Sequence, residues 1–187
     1  MSHYTHKILF GSSKIAIIFL FLQRLTKYKS MRIGFGYDVH VLAEGLPFVI
    51  GGVKIDSPFG CVAHSDGDVA IHALCDALLG AIAAGDIGKH FPDNDMAYKG
   101  IDSCILLERT VEVLRREGYR IGNVDITIAL ERPKLRPHID SMRARLAEVM
   151  GVEIGVVSVK ATTTEKLGFT GRGEGVAAYA VALVEQL

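Results

Sequence analysis

The chain has 187 residues, 49% hydrophobic and 22% charged, with 21 Lys and Arg balanced by 21 Asp and Glu. That length makes one domain or two, and its apolar content suffices for a buried core, which excludes a disordered chain. A formal net charge of zero gives no electrostatic ground for binding nucleic acid.

Residues 1–30 carry Lys7, Lys14, Arg24, Lys27 and Lys29 without an acid, which leaves 16 bases against 21 acids in residues 31–187. The apolar run from Ile15 to Leu22 is shorter than the about 20 residues that span a bilayer. It is followed by the basic stretch Thr26 to Lys29 where a signal peptide would place a small-residue cleavage site. Residues 1–30 are therefore expected to be a disordered leader or an over-extended start, with the domain at 31–187 and no membrane association. Three cysteines, Cys61, Cys75 and Cys104, form no C-x-x-C pair and fit free thiols in a reducing cytoplasm.

From Arg32 to Val41, Ile33, Phe35, Tyr37 and Val39 alternate with Gly34, Gly36, Asp38 and His40, the period-2 pattern of a half-buried strand, so Asp38 and His40 share a face. Residues 48–50 and 53–55 flank Gly51 and Gly52, which predicts a hairpin. Asp68 and its neighbours supply cap residues for an Ala/Leu helix from about Gly67 to Ala84, stopped by Gly85. A second helix is expected over 102–117, ended by Gly118, and a strand over 119–130. Pro137 fits the first position of a helix running to Met150 and closed by Gly151. Residues 156–161 and 176–184 read as strands around the Gly- and Thr-rich loop 162–175. One α+β or α/β domain, a sheet covered by helices, is the natural solution.

Four groups of residues carry possible chemistry. Asp38 and His40, joined by one or more of His64, Asp66, Asp68 and His72, have the carboxylate and imidazole donors of a zinc site with an open position. In the Ala/Leu helix, an imidazole at His72 needs a partner, and Asp68 and Asp76 stand four residues to either side of it on the same face. The loop 162–175 offers three successive hydroxyls, bases and glycines, the ingredients of an anion site or equally of a flexible surface loop. Asp86 to Gly88 with Phe91 to Asp95 form a polar loop suited to sugar hydroxyls or to turn chemistry. Glu131 to Arg136 read as a strand end bearing three bases, or as a solvated loop.

Taken in order, Met31 to Gly34, Asp38 to His40, Ala63 to Val69, Gly85 to Gly88, Phe91 to Asp93, Pro133 with Lys134, and above all Lys160 to Gly175 resemble the 2-C-methyl-D-erythritol 2,4-cyclodiphosphate synthase family. The resemblance implies a single α+β domain with one mixed sheet covered by helices on one face. It further implies a homotrimer with sheets around the three-fold axis and active sites between subunits. The implied reaction is a metal-dependent intramolecular phosphoryl transfer in the non-mevalonate isoprenoid pathway, releasing CMP in the cytoplasm. By the same resemblance Asp38, His40 and His72 hold Zn²⁺, and Glu165 holds Mg²⁺ or Mn²⁺ with the substrate diphosphate. His64 and Thr163 match the positions that stabilise the transition state. Substrate contacts are implied at Asp38, Val39, His40, His64, Ser65, Asp86, Ile87, Gly88, Phe91, Pro92, Asp93, Asn94 and Asp95. Further contacts fall at Leu130, Glu131, Arg132, Pro133, Lys134, Leu135, Arg136, Thr162, Thr163, Thr164, Glu165, Phe169 and Arg172. Leu130 and Met96 depart from the family's usual residues. A zinc-dependent phosphodiesterase and a non-catalytic nucleotide-binding module are the two competing readings.

Overall fold

The alternation in residues 32–41 becomes β1 (Met31–Glu44), longer than expected at both ends. A computed structural model describes residues 30–92 and 95–187 of the chain, so Asp93, Asn94 and all but the last residue of the expected leader lie outside the described residues. β2 (Phe48–Ile50) and β3 (Val53–Ile55) form the expected hairpin about Gly51 and Gly52, whose φ values of 61° and 72° suit residues without a Cβ. Then follow β4 (Phe59–Val62), α1 (Val69–Ala81), α2 (Ile87–His90), α3 (Ser103–Arg116), β5 (Tyr119–Ala129), α4 (Ile139–Met150), β6 (Val157–Thr162), α5 (Gly168–Gly171) and β7 (Gly175–Gln186).

Five strands form a mixed sheet in the order β4-β1-β7-β5-β6, antiparallel except for the parallel pair β5 and β6, which α4 connects. The expectation of one sheet needs a correction, because β2 and β3 pair only with each other. Their turn sits on α4 instead, where a Cβ at Gly51 would lie 2.9 Å from Met142 and one at Gly52 2.7 Å from Arg145. β4, α2 and α5 were not expected, since pieces of four residues are too short to show a period.

Close approach of backbones positions the sheet under α1. A Cβ at Gly34 would lie 1.8 Å from the Ala77 carbonyl oxygen, and one at Gly36 1.9 Å from that of Ala73. Small residues continue this contact on β7, where Ala178, Ala180 and Ala182 are fully buried. Residues from the sheet, α1, α3 and α4 share one hydrophobic core within the single compact unit Met31–Leu187. The large residues of β1 lie on the other face: Ile33 is 70% and Phe35 62% exposed, and Tyr37, Val39 and Val41 are exposed with them. Tyr37 faces Tyr179 across the strand pair with ring centroids 5.0 Å apart.

α1 is shorter than the expected 67–84. Asp68 is its N-cap, accepting from the N–H groups of Ala70 and Ile71, and Ile82 and Ala83 close it, the latter at φ 58°. The Asp68 carboxylate also accepts from Gly51 and Gly52 N–H, so one fully buried side chain ties the hairpin to the helix start. Burial pushes this carboxyl up against the pull of the Gly52, Ile71 and Gly51 donors. Pro137 stands in a 3₁₀ turn (Arg136–His138) that precedes α4 rather than inside the helix, while Gly151 closes α4 in the left-handed conformation as expected. Among the described residues no helix is long and apolar enough to cross a membrane.

Candidate active site

Asp38 and His40 leave β1 on the face that α1 covers, and α1 brings His72 to meet them. Asp38 Oδ2, His40 Nε2 and His72 Nδ1 are mutually 3.1, 3.2 and 3.4 Å apart, and the three residues form the only candidate metal cluster found among the described residues. Tetrahedral zinc with bonds near 2.0 Å separates its ligand atoms by about 3.3 Å, so the donor set and its spacing fit that ion.

Every ligand's other polar atom is engaged. Val39 serves both strand residues: its N–H donates to Asp38 Oδ1 at 2.8 Å, and its carbonyl accepts from His40 Nδ1 at 2.8 Å. This leaves Oδ2 and Nε2 free to converge. His72 Nε2 lies 3.1 Å from Ser65 Oγ and 3.0 Å from Ser103 Oγ. Asp68 and Asp76, the carboxylates expected to orient His72, do neither. Asp68 caps α1, and Asp76 accepts from Ile87 N–H at 2.7 Å, which seats α2. Burial lowers the affinity of His72 for a proton, yet the hydrogen bond and charge of Asp38, with Asp68 and Asp66, outweigh it and raise the imidazole's pKa.

A cavity of about 370 Å³ opens beside these ligands, lined by His40, His64, Ser65, His72, Ile87, Gly88 and Phe91, all singled out in the sequence. Ala63, Tyr98, Ile101 and Leu106 complete it and were not named as site residues, because small or apolar side chains and a lone tyrosine form no recognisable pattern. Phe91 packs edge-on against Tyr98 with centroids 5.7 Å apart, and the Asp95 carbonyl lies 3.4 Å from His64 Nε2 at the edge of this cavity. Asp86 caps α2 by accepting from Lys89 N–H.

A second cavity of about 410 Å³ is lined by Leu130, Lys134, Leu135, Arg136, Lys160, Thr162 and Thr163, among others, and shares no residue with the first. Thr163 Oγ1 donates to Glu165 Oε1 at 2.9 Å, whereas the Thr164 hydroxyl is spent on the Leu167 carbonyl and on Thr170, holding α5 in place. Glu165 and Lys166 take left-handed φ values of 52° and 65°, and a Cβ at Gly171 would lie 2.2 Å from the Lys166 backbone. The loop 162–175 is thus a shaped turn. Glu165 is not in the Asp38 cluster. Arg172 pairs with Glu174 at 2.7 Å. The three thiols are buried and pushed up to about 12, first by that burial, which keeps them protonated and out of the site's chemistry.

The profile of the YgbB family matches residues 31–185. The 2-C-methyl-D-erythritol 2,4-cyclodiphosphate synthase of Thioalkalivibrio sulfidiphilus (strain HL-EbGR7) is 62% identical over 156 residues, covering 83% of this chain and 98% of that one. A solved 2C-methyl-D-erythritol-2,4-cyclodiphosphate synthase in its CDP-bound form superposes with a TM-score of 0.76 at 38% identity, covering 82% of this chain and 99% of the other. The bifunctional IspDF of Campylobacter jejuni gives a TM-score of 0.82 at 40% identity; the match covers 85% of this chain but 43% of that longer one.

Proposed function

Because the chain belongs to the YgbB family, we propose that Asp38, His40 and His72 form the zinc centre of its cyclodiphosphate synthase activity. The chain converts 4-diphosphocytidyl-2-C-methyl-D-erythritol 2-phosphate to 2-C-methyl-D-erythritol 2,4-cyclodiphosphate and CMP, in the non-mevalonate route to isoprenoid precursors. The observation that carries the metal assignment is the convergence of one carboxylate oxygen and two imidazole nitrogens within 4.8 Å.

In this reaction a 2-phosphate oxygen of the substrate attacks the β-phosphorus of its own diphosphate, and the bond to CMP breaks with its electron pair leaving on CMP. Attacking and attacked groups are both anionic, so the protein's task is to hold them in line and neutralise charge. When bound, zinc at Asp38, His40 and His72 and a hard divalent ion, Mg²⁺ or Mn²⁺, at Glu165 supply Lewis-acid polarisation of the diphosphate oxygens. His64 and Ser65, on the wall of the first cavity, are placed to bind the 2-phosphate end, with His64 stabilising charge as the new bond forms. Phe91 lies against the methylerythritol unit, and Asp86, Ile87 and Gly88 take the ribose. The second cavity receives cytosine between Leu130 and Arg136, with Thr162 and Thr163 on the phosphates.

The two cavities have separate linings on one chain, which favours a site assembled between subunits. The exposed apolar stripe of Ile33, Phe35, Tyr37, Val39 and Val41, with Tyr179 and Val181, is the surface we assign to a homotrimer around the three-fold axis. The protein is assigned to the cytoplasm on its family and its unpaired thiols. The assay that tests the function follows both products: CMP together with a cyclic diphosphate is the expected outcome. CMP with a linear phosphate would replace the cyclase by a phosphodiesterase.

Glu165→Gln keeps the side chain's shape but loses the charge that binds a hard cation. CMP release is expected to fall by at least about tenfold, or roughly 1.4 kcal/mol, with partial recovery at raised Mg²⁺ and unchanged zinc content. Unchanged CMP release at low Mg²⁺ would remove Glu165 from the site. A chain starting at Met31 is expected to fold, assemble and turn over as the full chain does, since the compact unit begins there and the family match spans 31–185. Sedimentation and CMP release check it, and loss of assembly would make residues 1–30 structural.

A further inference from the structure

We infer that Ser103 and Asp66 form a relay that fixes the proton and the aim of the His72 imidazole, making both of them positioning residues for the metal centre. The inference rests on the metal reading of Asp38, His40 and His72. Ser103 is fully buried at the start of α3, 31 residues from His72 in sequence, with its hydroxyl oxygen 3.0 Å from His72 Nε2. The same hydroxyl makes a short hydrogen bond to Asp66 Oδ1, and Ser103 N–H donates to Asp66 Oδ2 at 3.0 Å. Asp66 is held in turn by Asp68 N–H, from the cap residue of α1.

A serine hydroxyl has one proton, and an ionised carboxylate can only accept. With that proton committed to Asp66, Ser103 Oγ can only accept from His72, so Nε2 carries the imidazole proton, and Ser65 Oγ, 3.1 Å from the same nitrogen, accepts from it as well. Neutral imidazole has one N–H, and Nδ1 is therefore left with its lone pair directed at Asp38 Oδ2 and His40 Nε2, the atoms it must meet to share a metal. The carboxylate at the far end favours positive charge on the ring, which strengthens Nδ1 as a donor to a cation. Capping of α3 does not account for the arrangement, because Asp102 already caps that helix by accepting from Cys104 N–H.

The test uses the zinc-loaded full chain and measures zinc affinity by chelator competition, alongside the His72 Nε2–H proton resonance. Wild type is expected to bind one zinc per chain and to show an exchange-protected Nε2–H signal. Ser103→Ala is expected to weaken zinc binding by about 10- to 100-fold and to lose that protection, and Asp66→Asn to weaken zinc in the same direction. A role confined to folding would lower the melting temperature and leave both readouts where they were. Zinc affinity within twofold of wild type in folded Ser103→Ala would overturn the relay. Should that variant not fold, unchanged affinity in Asp66→Asn would overturn it equally. Failure of wild type to bind zinc would instead overturn the metal reading, and the relay with it.

Discussion

Replacing His72 with Ala is expected to abolish both zinc binding and CMP release while leaving the chain folded. Three protein ligands is the minimum that holds a catalytic zinc with one position open, and two remaining donors on one strand, Asp38 and His40, lack the third corner that α1 supplies. Zinc affinity should fall by at least about a thousandfold, and CMP release by a similar factor, the equivalent of roughly 4 kcal/mol in the barrier. Folding should survive because α1 is anchored by its buried apolar residues, among them Ile71, Leu74 and Leu78, and by Asp68 at its start, none of which depends on the imidazole. Metal analysis, circular dichroism and CMP assay on one preparation separate these effects. Full zinc occupancy in His72→Ala would remove the residue from the centre.

A second substitution, at a residue that offers no ligand atom, should be almost as damaging. In Gly36→Ala the new methyl would lie 1.9 Å from the Ala73 carbonyl oxygen and 2.8 Å from Ala77 N, both backbone atoms of α1 that no rotamer change can move. Ordinary contact needs about 3.4 Å or more, so the helix must leave the sheet by more than an ångström, losing packing along its length. Overpacking a core costs about 1–3 kcal/mol, and here both partners are main chain, so about 3 kcal/mol or more is expected. In a chain of this size that lowers the melting temperature by about 6–12 °C. The strand that must move carries Asp38 and His40, and the helix carries His72 beside Ala73, so zinc affinity should drop in the same variant. Gly155→Ala, where a Cβ meets nothing within 4 Å, is the control and should melt within about 1 °C of wild type. A Gly36→Ala protein that melts with the control would show that the sheet and helix have slack that the structure does not contain.

Local order was legible because it depends on neighbours in sequence. The two-residue period puts Asp38 and His40 on one side of β1 whatever the strand packs on, Gly51 and Gly52 make the hairpin turn, and Gly151 ends α4 in the left-handed conformation. The set of Asp38, His40 and His72 was nameable only through family resemblance, since spacing alone left His64, Asp66, Asp68 and His72 open as partners. Tertiary structure chose His72 by laying α1 across β1 at Gly34 and Gly36.

That packing decided two further matters that no local pattern contains. Alternation marked β1 as half-buried without saying which side is inside, and the answer went to the glycines: only residues without side chains admit a helix backbone so close, so Ile33 and Phe35 face outward. Helical spacing nominated Asp68 and Asp76 as partners of His72, because residues four apart share a helix face. The imidazole instead points away from its own helix, toward hydroxyls delivered by the loop before α1 and by α3. Sequence determined which residues bear chemistry and how each segment is shaped. Which of those residues touch was set by long-range packing, because contacts across 31 to 34 positions depend on where whole elements come to rest.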